Sequence, residues 1–342
     1  MYDINYVLKH ASGILATTIE SGSDDTLNER KTKYTPLTKA KLIELLKTDY
    51  STAFKKVLEN KIIFRGVSDD AKKLIGKYSL LKPGLRISRY ARYNLYNRLF
   101  SDILPSWRGY PPRNRSFTCS TSTSYAVAFT SDEPTSFINV YTVLPKNGAV
   151  IGVCPSTDLW GSFKYLVENE FSLDDFQYML MGVIEFIGKQ LDEVISIKTN
   201  QKSTEFSKVW QELDKATKYG SAASITAVFD SLSKKLETYI NDVLEKVKRE
   251  YPVKDELDYK IAVANATEEM LEEMKKRNST SILKILDDFF NPKINGIKKV
   301  TIEQYSERSY ITTKTDTKHS GKEVWTDSEC IFTKLKYLKS LL

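Results

Sequence analysis

An arginine within an apolar strand is the first feature of this sequence that asks for chemistry. Phe64-Arg65-Gly66-Val67 ends the run KIIFRGV, which is β-branched and apolar up to Arg65. A guanidinium placed there loses several kcal/mol of solvation unless a phosphate or carboxylate meets it. A second string, SFTCSTS at residues 116–122, sets small hydroxyls on an extended strand and leads into Ala126 and Phe129. Such hydroxyls orient neighbouring side chains by hydrogen bonding. A third, Gly321-Lys322-Glu323-Val324-Trp325, brings a carboxylate into the start of a strand. Guanidinium, hydroxyl and carboxylate are also the chemistry that composition leaves open. His10 and His319 are the only imidazoles, so a multi-His metal site is excluded, and a Ser-His-Asp triad would have to use one of these two. Cys119, Cys154 and Cys330 share no metal-ligand spacing, and their odd number argues against a disulfide framework.

The elements that must position these groups follow from periodicity. Residues up to 60 read as helices with a polar loop at 21–35, and residues 37–58 carry apolar side chains at helical spacing. Strands are expected at 61–67, 116–123, 137–144 and 149–154, with a short helix at 125–129 and a turn at 145–148. From about 173 to 290 the pattern is helical. Its clearest helix, 225–247, lines up Ile225, Phe229, Leu232, Leu236, Ile240, Val243 and Val247 on one stripe, which reads as ordinary core packing. Strands return at 298–304, 309–314, 322–325 and 330–335. Strand-rich segments therefore bracket a helical one, and the economical architecture is a sheet domain with a helical insertion.

At 342 residues, with 41% hydrophobic and 28% charged side chains, the chain has the composition of a soluble globular protein. No apolar run approaches the roughly 20 residues of a membrane span, and residues 1–10 lack a signal-peptide pattern. The expectation is a cytoplasmic protein that uses no metal. The net charge of +7 is concentrated: residues 82–115 hold eight bases (Lys82, Arg86, Arg89, Arg92, Arg98, Arg108, Arg113, Arg115) against one acid, Asp102. Tyr90, Tyr93, Tyr96, Phe100, Trp107 and Tyr110 are interleaved with them. Arginine suits phosphate, and aromatic rings offer stacking faces for bases. The plainer reading is a solvated amphipathic helix over 88–104 whose tyrosines pack on the core.

The three strings, in this order, resemble the Arg-Ser-Glu class of mono-ADP-ribosyltransferases, the cholera-toxin-like group. In that family an Arg on the first core strand is followed by a Ser-Thr-Ser strand and a short helix similar to AVAF. A strand-Pro-Lys-Gly-strand unit comes next, which VYTVLPKNGAVIGV at 140–153 resembles, and then a Glu before the closing strands. The resemblance covers roughly residues 61–154 and 300–342. The basic stretch and the continuation CPSTDLWGSF look more like bacteriophage-encoded members, enzymes of host takeover acting in the host cytoplasm, than secreted toxins.

The fold implied is α+β: an ADP-ribosyltransferase-like split β-sheet core with N-terminal helices and a large helical insertion. Its parts are an N-terminal helical segment (1–60), the first part of the core (61–172), the insertion (173–296) and the C-terminal strands (297–342). The substrate implied is NAD, as ADP-ribose donor. By resemblance, Arg65 with Gly66 holds an NAD phosphate, Ser120 positions the catalytic carboxylate, Thr121 and Ser122 support the nicotinamide-ribose side, and Phe129 is structural. Glu323 accepts a hydrogen bond from the ribose 2′-OH. Glu170, in Glu168-Asn169-Glu170, and Glu329, in a turn, compete for that role. Reading EVWTDSECIFTKL as strand-turn-strand favours Glu323. Gly321 stands where Arg-modifying members carry Glu or Gln, which puts Arg specificity in doubt. The acceptor is a protein side chain or a nucleic acid; family frequency favours protein. Nucleic acid would be contacted through Arg86, Arg89, Arg92, Arg98, Arg108 and Arg113. The alternative is a non-enzymatic nucleic-acid-binding module using residues 82–115.

Overall fold

The computed structural model describes residues 32–85, 91–127, 139–163, 173–200, 211–213, 215–217, 219–250, 259–276, 281–311 and 321–341. The chain divides into two compact units, one comprising residues 1–89, 108–162 and 292–342, the other residues 90–107 and 163–291. The division differs from a single insertion at 173–296: residues 90–107 leave the strand-bearing part and join the helical one.

The first unit is built on one nine-stranded antiparallel sheet. Its strands in chain order are β1 (Lys33–Pro36), β2 (Ile63–Gly66), β3 (Tyr78–Lys82), β4 (Phe117–Ser120), β5 (Val140–Pro145), β6 (Val150–Val153), β7 (Lys298–Thr301), β8 (Glu323–Thr326) and β9 (Cys330–Thr333). Their spatial order is β1-β3-β9-β5-β2-β4-β8-β6-β7. The apolar run around Arg65 becomes central strand β2, buried along its whole length, as a run without polar alternation requires. β5 pairs with β2 from Ile63↔Val143 to Gly66↔Val140. β4 touches β2 at a single pair, Phe64↔Ser120, so the two strands splay on either side of that point.

The sheet also folds over its own core. The rings of Phe117 on β4 and Phe332 on β9 meet edge to face at 5.0 Å, although β2 and β5 lie between those strands in the sheet. The enclosed core takes Ile63, Cys119, Tyr141, Val143, Ile151, Val324 and Ile331 from the strands. Leu42 and Leu46 from helix Lys39–Lys47, and Ala53 from Ser51–Leu58, cover it. Thr38 caps the first of these helices by accepting from Lys41 N–H. β1 and β3 were not expected. β1 is a mostly exposed edge strand, and both are held through β9. Of the strand expected at 309–314, a single bridge remains at Tyr310, opposite Ser122, and residues 312–314 lie outside the described ones.

The second unit contains helices Ala91–Arg98, Leu173–Thr199, Ala222–Glu250, Tyr259–Lys276 and Ile282–Phe289. The stripe read from the sequence is buried, including Ile225, Phe229, Leu236, Val243 and Val247. Its second cluster is aromatic: Phe100 lies 4.5 Å from Trp107, 5.8 Å from Phe163 and 5.5 Å from Phe290. Among the described residues, no helix is long and apolar enough to cross a membrane.

Candidate active site

Three adjacent strands, β2, β4 and β8, bring the three sequence strings together. Phe64 stands opposite Ser120, and Ser120 opposite Glu323. Ser120 ends β4 and Glu323 begins β8, so hydroxyl and carboxylate share one end of the sheet and one pleated face. Arg65 is the next residue after Phe64 and stands opposite Tyr141, on the alternate face. Its guanidinium donates to the carbonyl of Thr118, bridging the splay between β2 and β4. Arg65, Ser120 and Glu323 are all buried, at 3%, 1% and 5% exposure.

The carboxylate of Glu323 has both oxygens engaged. Oε1 pairs with Nη1 of Arg113, and Oε2 accepts from Leu159 N–H at 3.1 Å. Ser120 does not make the bond to Glu323 that the resemblance assigns it; its Oγ accepts from Ser122 N–H at 3.0 Å. Thr121 extends the ladder beyond Glu323, its N–H donating to Lys322 O at 3.0 Å and its Oγ1 accepting from Lys322 N–H at 2.8 Å. Ser122 Oγ lies 2.7 Å from Ser124 Oγ and its carbonyl caps helix Thr123–Val127. Gly66 ends β2 opposite Val140.

Glu329 is removed from this end. It follows β8 at the far turn and accepts from Tyr50 OH at 3.1 Å. Phe129 and Glu170 lie outside the described residues.

The departure at Gly321 has a steric cause. A Cβ there would stand 2.4 Å from Ser122 Cβ, 2.8 Å from Ser122 N and 3.0 Å from Ser120 Oγ. A side chain at this position and the hydroxyl strand at its present distance are therefore incompatible. Gly321→Ala is expected to lose about 1–3 kcal/mol by overpacking, measured as a lower urea midpoint at unchanged slope.

Two features of the site carry no sequence signal of their own. The first is Arg113. It sits in the 3-10 turn Arg113–Arg115, which Ser116 Oγ anchors by donating to Pro112 O at 2.8 Å. Its guanidinium lies 4.9 Å from the ring centre of Trp325, two residues along β8 from Glu323 and on the same face. Trp325 is fixed in turn by Nε1–H donating to Pro111 O at 2.8 Å and by Gly152, where a Cβ would fall 2.2 Å from the indole.

The second is the loop after β6. Cys154 N–H donates to Glu323 O at 2.9 Å, while Glu323 N–H donates to Ser156 O at 3.0 Å, so the strand bulges at Pro155. The bulge turns residues 156–162 across the Glu323 carboxylate. Within this loop Ser156 Oγ and Ser162 Oγ donate to Asp158 O at 2.8 and 2.7 Å, and Gly161 N–H donates to Asp158 Oδ1 at 2.6 Å. Burial, with the negative charge of Glu323 beside it, pushes the Asp158 carboxyl up to about 6, against the Gly161 and Trp160 N–H groups and the Arg113 charge, which favour its ionised form. Burial also pushes the Cys154 thiol up, away from a nucleophilic thiolate at neutral pH.

Asp158 also has a stability consequence. The folded state binds its proton more tightly than the unfolded chain, so its contribution is present below the ordinary carboxylate range and lost as pH rises through about 6. Asp158→Asn is expected to raise the melting temperature more at pH 8 than at pH 5.

Of the other arginines in the basic stretch, Arg98 pairs with Asp102 at 2.7 Å and donates to Gly220 O at 3.1 Å, and Arg108 is exposed. Arg92 lies on helix Ala91–Arg98, its side chain outside the described residues, as are Arg86 and Arg89. Tyr96 is buried, as the amphipathic-helix reading over 88–104 expects of its tyrosines, while the side chains of Tyr90 and Tyr93 lie outside the described residues; Phe100 and Trp107 are buried as well. Comparison of the chain with protein-family models, with curated proteins and with solved structures finds no match.

Proposed function

We propose that this chain is an NAD-dependent mono-ADP-ribosyltransferase built on a split-sheet core. The observation that carries the reading is that β2, β4 and β8, which bear Arg65, Ser120 and Glu323 from segments far apart in sequence, are neighbours in the sheet, with Ser120 opposite Glu323. The donor set suits the substrate: guanidinium groups for a diphosphate, hydroxyls for ribose, and a fixed carboxylate for a developing cation. In the reaction the bond from ribose C1′ to the nicotinamide nitrogen breaks, and its electron pair leaves on nicotinamide. Positive charge builds on the ribose ring, and Glu323 lowers its energy. Nicotinamide departs neutral, so no general acid is needed, and the scarcity of histidine is no obstacle. The acceptor, a protein side chain or a nucleic acid, then bonds to C1′.

The Arg113 pair adds a condition. A guanidinium on Oε1 cancels much of the carboxylate's field at short range. In this reading Arg113 moves off Glu323 when the donor binds and takes the diphosphate as its new anion, while Arg65, on the alternate face, holds β4 through Thr118 O. The test is release of nicotinamide from labelled NAD by the purified protein. Release that is lost in Glu323→Ala and Arg65→Gln variants of unchanged circular dichroism supports the reading. Tight nucleic-acid binding with no NAD turnover supports the non-enzymatic module instead. A modification yield that falls steeply with salt identifies a nucleic-acid acceptor.

A further inference from the structure

We infer that Asp158 is the general base of this site, the group that takes the proton from the acceptor as its oxygen or nitrogen bonds to ribose C1′. The inference rests on the transferase reading and names the one group that reading lacks. Bond formation from a neutral O–H or N–H acceptor must shed a proton, and in that reading Glu323 is committed to the ribose, with its Oε2 held by Leu159 N–H. The bulge at Pro155 carries a second carboxylate to the same place, since Leu159, which holds Glu323, is the residue after Asp158. The loop is braced for the purpose: Gly161 N–H and the two serine hydroxyls fix Asp158 from both sides of its own backbone. Charged and polar groups from several segments act on it. Glu323 on β8, Arg113 in its 3-10 turn, Cys154 at the end of β6 and Tyr125 on helix Thr123–Val127 all interact with it electrostatically. Asp158 as a residue is less buried than Glu323. A carboxylate that titrates near 6 is ionised at neutral pH yet basic enough to hold a proton in the transition state.

Water is the simplest acceptor and gives a balanced step. Its oxygen bonds to C1′, the C1′–N bond breaks toward nicotinamide, and one proton passes to Asp158 and then to solvent. The experiment is nicotinamide release from NAD with water as the only acceptor, followed across pH for wild type, Asp158→Asn, Asp158→Glu and Glu323→Ala. Asparagine keeps an oxygen for Gly161 N–H, so the loop is conserved, and melting temperatures check this.

The wild type is expected to show an ascending limb in kcat/KM with an apparent pKa near 6. Asp158→Asn is expected to lose about 100-fold in kcat and the limb with it, at unchanged KM, with partial recovery in Asp158→Glu. Excess azide, a nucleophile with no proton to lose, is expected to restore release in Asp158→Asn but not in Glu323→Ala. A merely structural Asp158 would not respond to azide. An Asp158→Asn protein that keeps the wild-type rate and pH profile overturns the inference, as does a folded Asp158→Asn protein that azide does not rescue. A wild type that releases no nicotinamide overturns the transferase reading itself, and the base assignment falls with it.

Discussion

Glu323→Gln lowers the turnover of NAD by on the order of 1,000-fold, the expected worth of a charged group aimed at a site of developing charge. The substitution keeps the shape of the side chain and removes its charge; turnover is expressed per folded protein, because the lost ion pair also lowers stability. Glutamine retains the length of the side chain and an oxygen for the Leu159 N–H, which supplies one of the two bonds that now hold the carboxylate. What disappears is the negative charge, so the loss belongs in kcat while binding of NAD changes little. Two controls follow from the positions of the competing residues. Glu329→Gln leaves turnover unchanged, because Glu329 accepts from Tyr50 at the far turn of β8; its effect is on stability. Ser120→Ala has a smaller effect than Glu323→Gln, because Ser120 Oγ is occupied by Ser122 N–H rather than by the carboxylate. Steady-state release of nicotinamide across these variants orders them. Activity that survives Glu323→Gln but not Glu170→Gln would transfer the catalytic role to Glu170.

The second large effect is on stability. Arg113 and Glu323 form an ion pair whose side chains are only 12% and 7% exposed. Each ion owes its presence there to the other, and deleting one strands the remaining charge away from water. Arg113→Met is therefore expected to cost about 3–5 kcal/mol, and Glu323→Gln a similar amount, because it leaves the guanidinium without its anion. The double variant Arg113→Met/Glu323→Gln is expected to lose much less than the two single losses together, since no buried charge is then left over. Trp325 complicates only the Arg113 side: the guanidinium also lies over its ring, a contact that the Met side chain partly replaces by packing. Urea unfolding of the four proteins closes the cycle. Additive losses would show that the two ions do not depend on each other in the folded state.

Local pattern accounts for a good part of this architecture. The run KIIFRGV is legible as a buried strand because it is apolar without alternation, and it becomes β2. VYTVLPKNGAVIGV is legible as strand-turn-strand, and it becomes β5 and β6. The stripe at 225–247 is legible as a long helix, and its apolar face is buried. EVWTDSECIFTKL is legible as the closing hairpin, and it becomes β8 and β9. In each case burial leaves a local pattern in the residues themselves, an unbroken apolar run or a countable period.

Other features have no such trace. The edge strand β1 is mostly exposed, and its four residues carry no apolar rhythm, so only its pairing with β3 makes it a strand. Residues 90–107 lie between two strand-bearing stretches, yet they belong with the helices because Phe100 and Trp107 complete an aromatic cluster with Phe163 and Phe290. The basic stretch was legible as charge, but its most consequential member, Arg113, was indistinguishable from its neighbours until β8 brought Glu323 beside it. The same holds for Asp158, an unremarked polar loop residue until the bulge at Pro155 turned its loop across the carboxylate.

From the linear order of residues one can read which segments are strands or helices, which faces are buried and which residue types are available for catalysis, because each leaves a local period or a composition. Which cation neutralises the buried glutamate, which hydroxyl stays occupied and where a second acid arrives depended on strand order and on one bulge. Electrostatic partnership is a matter of a few ångströms between segments that sequence separates widely, and spacing along the chain carries no measure of that distance.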